Sequence, residues 1–331
     1  MTSAYVCWTH SQPLIQDGPQ AHCPECETPY PIHENIWMLD IANRPDKTAF
    51  DEQVLHSRIP LDLEKANMLL AAAAIEPLDH ANILDVGCGL GDLTQGLALS
   101  PLIRNSSIFA FDHSVQSLRE AAAVTEPSNG NTVRYSAQDA FNLFFPDSFF
   151  HLVTGSAVLH HFHDIPKFFH ELARVLKPGA KAVFAEPFFD GYFWPSLFLQ
   201  NALEEHSVGL HDPEAGQASV IIGLVDFMSR HRGTHPELEH FTDKHFFRES
   251  ELSAAATEAG FRSSRYMNVA RPEFYRTWMP YFLDTYGVKH QQVRRSAIAQ
   301  YEEASTLAGP LLPELMSHFK YITLQKDFTT F

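Results

Sequence analysis

Between residues 83 and 185, short apolar runs alternate with segments of helical character. Ile83–Val86, Ser107–Phe111, Val133–Ala137, His151–Thr154 and Ala180–Ala185 have the length and apolar density of buried strands. Asp92–Leu99 and Ile165–Leu176 read as helices, the second amphipathic and stopped by Pro178-Gly179. Ser114 is placed to cap a further helix that runs to about Ala123. Upstream, LDLEKANMLLAAAA at 61–74 is made of good helix formers, and Pro77 ends it. Regular alternation of strand and helix predicts an α/β fold, a parallel sheet with helices on both faces.

After Glu186-Pro187 the pattern changes. Residues 188–247 are aromatic, His-rich and partly helical, and they open on Phe188-Phe189-Asp190-Gly191-Tyr192-Phe193-Trp194. Glu249–Ala259 reads as a helix closed by Gly260, residues 262–269 and 318–325 as strands, and 272–308 as a second helical stretch. Three of the four Cys lie in the first 26 residues, which marks 1–38 as a small module, and 39–50 reads as a linker. The plan is therefore a module at 1–38, a core at 39–187, a helical cover at 188–247, and the end of the core at 248–331 with an insertion at 272–308.

Composition narrows the classes of partner. The formal charge is -16 and the longest basic stretch is Arg294-Arg295, which disfavours nucleic acid, whose binders present a basic face to phosphates. No run of 18 apolar residues exists, so no membrane span is expected. The first twenty residues lack the basic start and apolar run of a signal peptide. A cytoplasmic location is the expectation, with reduced thiols rather than structural disulfides. The 26 Phe residues are enough to fill a core and still line a pocket.

The sharpest motif is ILDVGCGLGDLT at 83–94. Gly87, Gly89 and Gly91 lie between a strand and a helix, where glycine permits a tight turn and close backbone approach to a ligand. Dinucleotide enzymes also use such turns, but here the spacing is Gly-x-Gly-x-Gly, and Asp85 stands two positions before the first glycine. Asp112 ends the second strand, where a carboxylate can accept both ribose hydroxyls, and Asp139 follows the third, where an acid can accept from an exocyclic adenine amine. Each Asp taken alone also reads as a helix cap or turn residue; their order favours a ligand site.

Residues 83–186 resemble the class I S-adenosylmethionine-dependent methyltransferases, and within them the ubiquinone/menaquinone-methyltransferase-like group. The matching text is DVGCGLGDLT, FAFDHS, AQDAFNLFFPDSFFHLVTGSAVLHHFHD and ELARVLKPGAKAVFAEP. The resemblance implies a Rossmann-like seven-stranded doubly wound sheet with its last strand antiparallel, and S-adenosylmethionine as cofactor. It implies that Gly87, Cys88, Gly89 and Gly91 cradle the methionine part and that Asp112 binds the ribose. By the same resemblance His113 borders the adenine, Asp139 and Ala140 read its edge, and Ser156 lies near the methyl group. Cys88 reads as a small residue filling the loop, since no base accompanies it in sequence.

Cys7-x2-His10 and Cys23-x2-Cys26 form two short-spaced pairs separated by twelve residues, which suits a tetrahedral zinc ion of structural type. The text CPECETPYPIHENIWML resembles the zinc-ribbon segment that precedes some methyltransferase domains, ribosomal RNA guanine methyltransferases among them. It departs from that pattern at His10, where Cys is common, and His22 and His33 are rival ligands.

Candidates for the chemistry are fewer. Leu159-His160-His161-Phe162-His163 follows the fourth strand, on the edge where such folds bind ligands, so His160 or His161 is a candidate base. The competing reading is that the pair caps a loop. Glu186 ends the fifth strand, as a candidate base or a hydrogen-bonded structural carboxylate. Tyr192 and Trp194 can hold an apolar acceptor or face a sulfonium, or else pack the cover.

The expectation is direct in-line methyl transfer to a small-molecule acceptor of secondary-metabolite type. An RNA methyltransferase is the reading the zinc-ribbon resemblance favours and the charge opposes. A cyclase that closes the aminobutyrate chain of the cofactor to an azetidine ring, using Tyr192 with Ser156 or Ser219, would release methylthioadenosine. A non-catalytic scaffold is opposed by the intact loop and both acids.

Overall fold

The structure is a computed structural model that describes residues 2–39, 62–230, 245–268, 272–309 and 319–328. Most of the linker at 39–50 and the stretch 231–244 of the cover lie outside the described residues.

The chain begins with five short strands, β1 (Thr2–Val6), β2 (Pro13–Asp17), β3 (Gln20–His22), β4 (Pro29–His33) and β5 (Ile36–Met38). Strands this short bury too little to stand alone. They are carried on the edge of the main sheet, because Ile36, Trp37 and Met38 of β5 pair in parallel with Tyr135, Ser136 and Ala137. Tyr5 stacks tilted against Trp37 and Phe145 and meets Phe109 edge-on. The N-terminal strands and the sheet thus share one core.

Next come α1 (Asp62–Ala72), β6 (Leu78–Asp79), β7 (Asn82–Val86), α2 (Asp92–Leu99), β8 (Ile103–Arg104), β9 (Ser107–Asp112), α3 (Val115–Val124) and β10 (Thr132–Ala137). They are followed by β11 (Phe150–Ser156), a single 3₁₀ turn at Leu159–His161, α4 (Ile165–Val175) and β12 (Leu176–Pro187). Ser114 caps α3 by accepting from the Ser117 amide, and Asp164 caps α4 by accepting from that of Lys167. Helix α4 ends at Val175, before the Pro178-Gly179 pair expected to stop it. The pair lies inside β12, within a register shift against β11 that accommodates Gly179 at φ 76°.

The rest of the chain is α5 (Phe189–Glu205), α6 (Ala218–Arg230), α7 (Glu249–Glu258), β13 (Phe261–Asn268), α8 (Pro272–Thr285), α9 (Gln291–Ala308) and β14 (Phe319–Lys326). The main sheet runs β1-β2-β3-β4-β5-β10-β9-β7-β11-β12-β14-β13. From β10 to β13 it has the expected seven strands, with β14 antiparallel to both its neighbours.

Burial on both faces explains the near-continuous apolar text of β7, β9, β11 and β12. One face packs Leu69, Leu70, Leu93 and Leu97 against Ile83 and Ile108. The other packs Phe168, Phe169 and Leu172 of α4 with Phe109, Phe145 and Phe150. Each fully buried Phe contributes roughly 1.5–3 kcal/mol relative to an exposed one. Helices α5, α6, α8 and α9 form their own apolar cluster around Phe198, Leu199, Trp278, Phe282 and Tyr301. Among the described residues, no helix is long and apolar enough to cross a membrane.

Candidate active site

The glycine loop leaves β7 at its carboxyl end. The Cys88 amide donates to the Phe111 carbonyl, and Gly91 donates back to Cys88, closing the turn against β9. Gly89 sits at φ 52°, and a Cβ built there would meet nothing within 4 Å, so its backbone faces open space. Gly87 differs: a Cβ there would collide with Val158.

Asp112 locks this loop. Its Oδ2 accepts from the Gly89 amide and its Oδ1 from the Ser114 amide, both at 2.9 Å. The His113 Nδ1 stands 3.2 Å from Oδ1. Burial alone would raise the Asp112 pKa, but the bond and charge of His113 and the two amides outweigh it and hold the carboxyl below its usual range. An ionised carboxylate beside an open glycine backbone fits the ribose and methionine parts of S-adenosylmethionine.

Asp85 lies beneath the loop, 1% exposed. Thr94 Oγ1 donates to it at 2.6 Å and Thr154 Oγ1 at 3.3 Å, tying the start of α2 to β7 and β11. Burial pushes its carboxyl up to about 7. The Cys88 thiol is pushed well above its usual range, first by burial and then by Asp112 and Asp85, which leaves it a packing residue with Ala110 and Leu118.

Asp139 and Ala140 follow β10, whose Ala137 pairs with Asp112, so the two acids sit on neighbouring strand tips. Asp139 Oδ1 accepts from the Phe141 amide at 3.1 Å. The loop after it is clamped by Arg174, which donates to the carbonyls of Leu143 and Phe145, and by Glu171, which accepts from the Leu143 amide.

Ser156 ends β11 opposite Ala185. Beyond it Glu186 is fully buried, and its Oε1 accepts from the amides of Val158 and Leu159, both at 2.9 Å. Its Oε2 stands 2.8 Å from His160 Nδ1. The His161 ring packs on that of His160 at 4.0 Å. Tyr192, on α5, stacks on Phe246 at 4.0 Å and meets Trp278 edge-on at 5.8 Å. Trp194 packs on Phe193 and Phe198 instead. His245 Nε2, 2.9 Å from the Phe162 carbonyl, joins the segment before α7 to the loop after the 3₁₀ turn. Sequence reasoning missed His245, Glu171 and Arg174, because no local pattern signals a partner so distant along the chain.

A second cluster stands in the N-terminal strands. The ligand atoms of Cys7, His10, Cys23 and Cys26 lie within 4.8 Å of one another, and neither His22 nor His33 is in the group. Cys7 and Cys26 sulfurs are 3.9 Å apart, and His10 Nδ1 is 3.6 Å from Cys7 and 3.7 Å from Cys23.

Residues 84–184 match the family described as a methyltransferase domain. The chain is 30% identical over 177 residues to a 2-phytyl-1,4-naphtoquinone methyltransferase of Synechococcus elongatus, covering 48% of this chain and 74% of that protein. It is 35% identical over 153 residues to a demethylmenaquinone methyltransferase of Lactiplantibacillus plantarum, covering 46% of this chain and 64% of the relative. In fold it is similar to a chain of the complex between the Haloferax volcanii Trm112 methyltransferase activator and a methyltransferase. That likeness has 15% identity and a TM-score of 0.51, over 86% of this chain and 100% of the other. A Rossmann-like sheet with a glycine loop and two acids on adjacent strand tips defines a nucleoside-binding enzyme, and with these matches the chain belongs to the class I S-adenosylmethionine-dependent methyltransferases.

Proposed function

We propose that this enzyme methylates a small, largely apolar acceptor of the aromatic quinol class, held between the strand tips and the cover. Bound S-adenosylmethionine supplies the electrophilic methyl group on its sulfonium. The chain's own part is alignment and exclusion of water, which dominate such a displacement. Asp112 takes the ribose hydroxyls, and the backbone of Gly87, Cys88, Gly89 and Gly91 holds the methionine part. His113 borders the adenine, Asp139 and Ala140 read its edge, and Ser156 faces the methyl side.

The observation that carries the acceptor class is the aromatic cluster where β12 runs into α5: Tyr192 on Phe246, Trp278 across them, and Phe189 stacked on Phe193 at 5.5 Å. Two relatives are named for 2-phytyl-1,4-naphtoquinone and demethylmenaquinone, in keeping with a flat apolar acceptor. Both Glu186 oxygens already accept hydrogen bonds, so its role is to hold the turn and His160. With Nδ1–H donating to Glu186, the His160 lone pair is on Nε2, and His160 is the base where the acceptor must lose a proton. His161 supports its ring.

The N-terminal cluster holds a structural zinc ion. Tetrahedral bonds of about 2.3 Å to sulfur and 2.0–2.1 Å to nitrogen require S···S near about 3.8 Å and S···N near about 3.6 Å. The separations of 3.9, 3.6 and 3.7 Å match that demand.

The test is mass spectrometry of the protein with S-adenosylmethionine, first alone and then with reduced naphthoquinones, phenols, amines and RNA. S-adenosylhomocysteine formed only with a reduced naphthoquinone, which gains one methyl group, supports the proposal. Methylthioadenosine formed without any acceptor would overturn it in favour of ring closure. Turnover confined to RNA or amines would overturn the acceptor class.

A further inference from the structure

A single layer of side-chain and main-chain contacts joins the Cys/His cluster to the loop that carries Asp139. The Tyr30 hydroxyl donates to Cys7 Sγ at 3.9 Å. The same buried ring meets Phe144 edge-on, with centroids 5.5 Å apart. The Phe144 amide donates to Gln138 Oε1, and the Phe144 carbonyl accepts from the amide of Val6, the residue before Cys7, each at 3.0 Å. Gln138 directly precedes Asp139. On the other side, Leu39 donates to the Ala137 carbonyl at 2.9 Å, continuing the pairing of β5 with β10. The strand tip and the loop that carry Asp139 are therefore braced by the module from both directions.

Apart from the core it shares with the sheet, the module has little burial of its own to hold this shape. Its strands are three to five residues long, and Cys7 and Cys23 are themselves part of the apolar packing. A small unit of this kind gains its fold from the metal, so metal-binding free energy is folding free energy. A metal-bound Cys7 thiolate also accepts the Tyr30 hydroxyl more strongly than a thiol does.

We propose that metal occupancy of the Cys7–His10–Cys23–Cys26 cluster sets the affinity of the enzyme for S-adenosylmethionine, with Tyr30 and Phe144 as positioning residues for the loop that carries Asp139. The inference rests on the readings of Asp139 as an adenine contact and of the cluster as a zinc site. The effectors it admits are zinc, chelators, and oxidants that convert the thiols to disulfide while being reduced themselves. The competing physical possibility is that Arg174 and Glu171 clamp the loop firmly enough alone. Linkage supplies a sharp signature, because if metal tightens nucleoside binding by some factor, the nucleoside must tighten metal binding by the same factor.

The experiment uses the full chain, zinc-loaded and after chelation, with S-adenosylhomocysteine as an unreactive probe. Calorimetry gives its dissociation constant in both states. Competition with a chromophoric chelator gives zinc affinity with and without the probe. The expected result is a loss of probe affinity of about tenfold on metal removal, with an equal rise in zinc affinity when the probe is bound. In zinc-loaded Phe144→Ala, probe affinity falls several-fold and the reciprocal coupling shrinks. Equal probe affinity in zinc-loaded and metal-free protein would overturn the proposal and leave the loop to Arg174. If chelation unfolds the whole chain, the zinc-loaded Phe144→Ala protein decides, and an unchanged dissociation constant there overturns it. Asp139→Ala separates the readings: if this variant alone leaves probe binding intact, the adenine assignment fails. Failure to bind zinc on titration would remove the metal reading and this inference together, while leaving the nucleoside site standing.

Discussion

Glu186 Oε2 and His160 Nδ1 lie 2.8 Å apart, and the other carboxylate oxygen is bound by the amides of Val158 and Leu159. A buried carboxylate satisfied in this way fixes both the turn after β11 and the imidazole tautomer. In Glu186→Gln one oxygen becomes an NH₂ group, which faces donors whichever way it turns. The imidazole can relieve this only by moving its proton to Nε2. We expect a loss of about 1–3 kcal/mol in stability, read by urea unfolding. Imidazole nitrogen chemical shifts of His160 should report the switched tautomer, and turnover should fall about 10²-fold or more if His160 is the base. An unchanged tautomer would remove the positioning role.

Asp85 gives the protein a pH dependence of its own. Its carboxyl is fully buried and its pKa rises from 3.8 to about 7. The folded state thus holds a proton that the unfolded state has released, so this stabilisation is complete below the unfolded pKa. It is lost as pH rises through the folded value. A shift of that size corresponds to at most about 4 kcal/mol. A neutral carboxamide mimics the protonated form, so Asp85→Asn should match the wild type near pH 4 and exceed it in stability above pH 7. Urea midpoints across that range measure the difference, and parallel curves for the two proteins would sink the assignment.

Asp112 should behave in the opposite way, since its partners keep it ionised. Asp112→Ala frees the Gly89 amide it now holds and, on the proposed reading, removes the acceptor for the cofactor's ribose. Affinity for S-adenosylhomocysteine should fall at least about tenfold, near 1.4 kcal/mol, as read by calorimetry. Unaltered affinity would place the ribose elsewhere.

The sequence made the sheet and glycine loop legible because both rest on local constraints. Positive φ at Gly87, Gly89 and Gly91 and capping by Ser114 act within a few residues. The helix at Ile165–Val175 was read to within one residue, but the start of β12 at Leu176 was missed, because Pro178-Gly179 can end a helix or bulge a strand, and tertiary pairing with β11 decided between them. The joining of β5 to β10 was invisible because 99 positions separate Ile36 from Tyr135, which it pairs with. Glu186 was recognisable as important, but its three partners on the 158–160 turn, not its position in the text, give it a structural task.

The choice of His10 over His22 and His33 is open to direct test. Cobalt(II) in a tetrahedral site with three thiolates gives sulfur-to-metal charge-transfer absorption. His22→Ala and His33→Ala should keep the wild-type spectrum and affinity, because neither ring is in the cluster. His10→Ala should weaken metal binding at least about tenfold, since it removes one of four ligands. Equal spectra for all three variants would mean that another group completes the site.

The aromatic helices carry the last prediction, which tells acceptor binding from cofactor binding. Tyr192 stacks on Phe246 at an interplanar angle of 12° and stands edge-on to Trp278, whose Nε1 donates to the Gly191 carbonyl. This ring set lies on α5, α8 and the segment before α7, whereas Asp112 and Gly89 lie on the opposite half of the sheet. Tyr192→Ala removes one ring of this aromatic set, the proposed acceptor surface, without touching the glycine loop. Acceptor KM should rise about tenfold or more as the stacking surface is lost, because an aromatic pair contributes roughly 0.5–1.5 kcal/mol beyond its burial. The dissociation constant for S-adenosylhomocysteine should stay within about twofold, and Tyr192→Phe, which keeps the ring, should restore acceptor binding. Equal losses in cofactor and acceptor binding would show that the cover shapes the nucleoside site instead. Failure of Tyr192→Phe to rescue would assign the work to the Tyr192 hydroxyl.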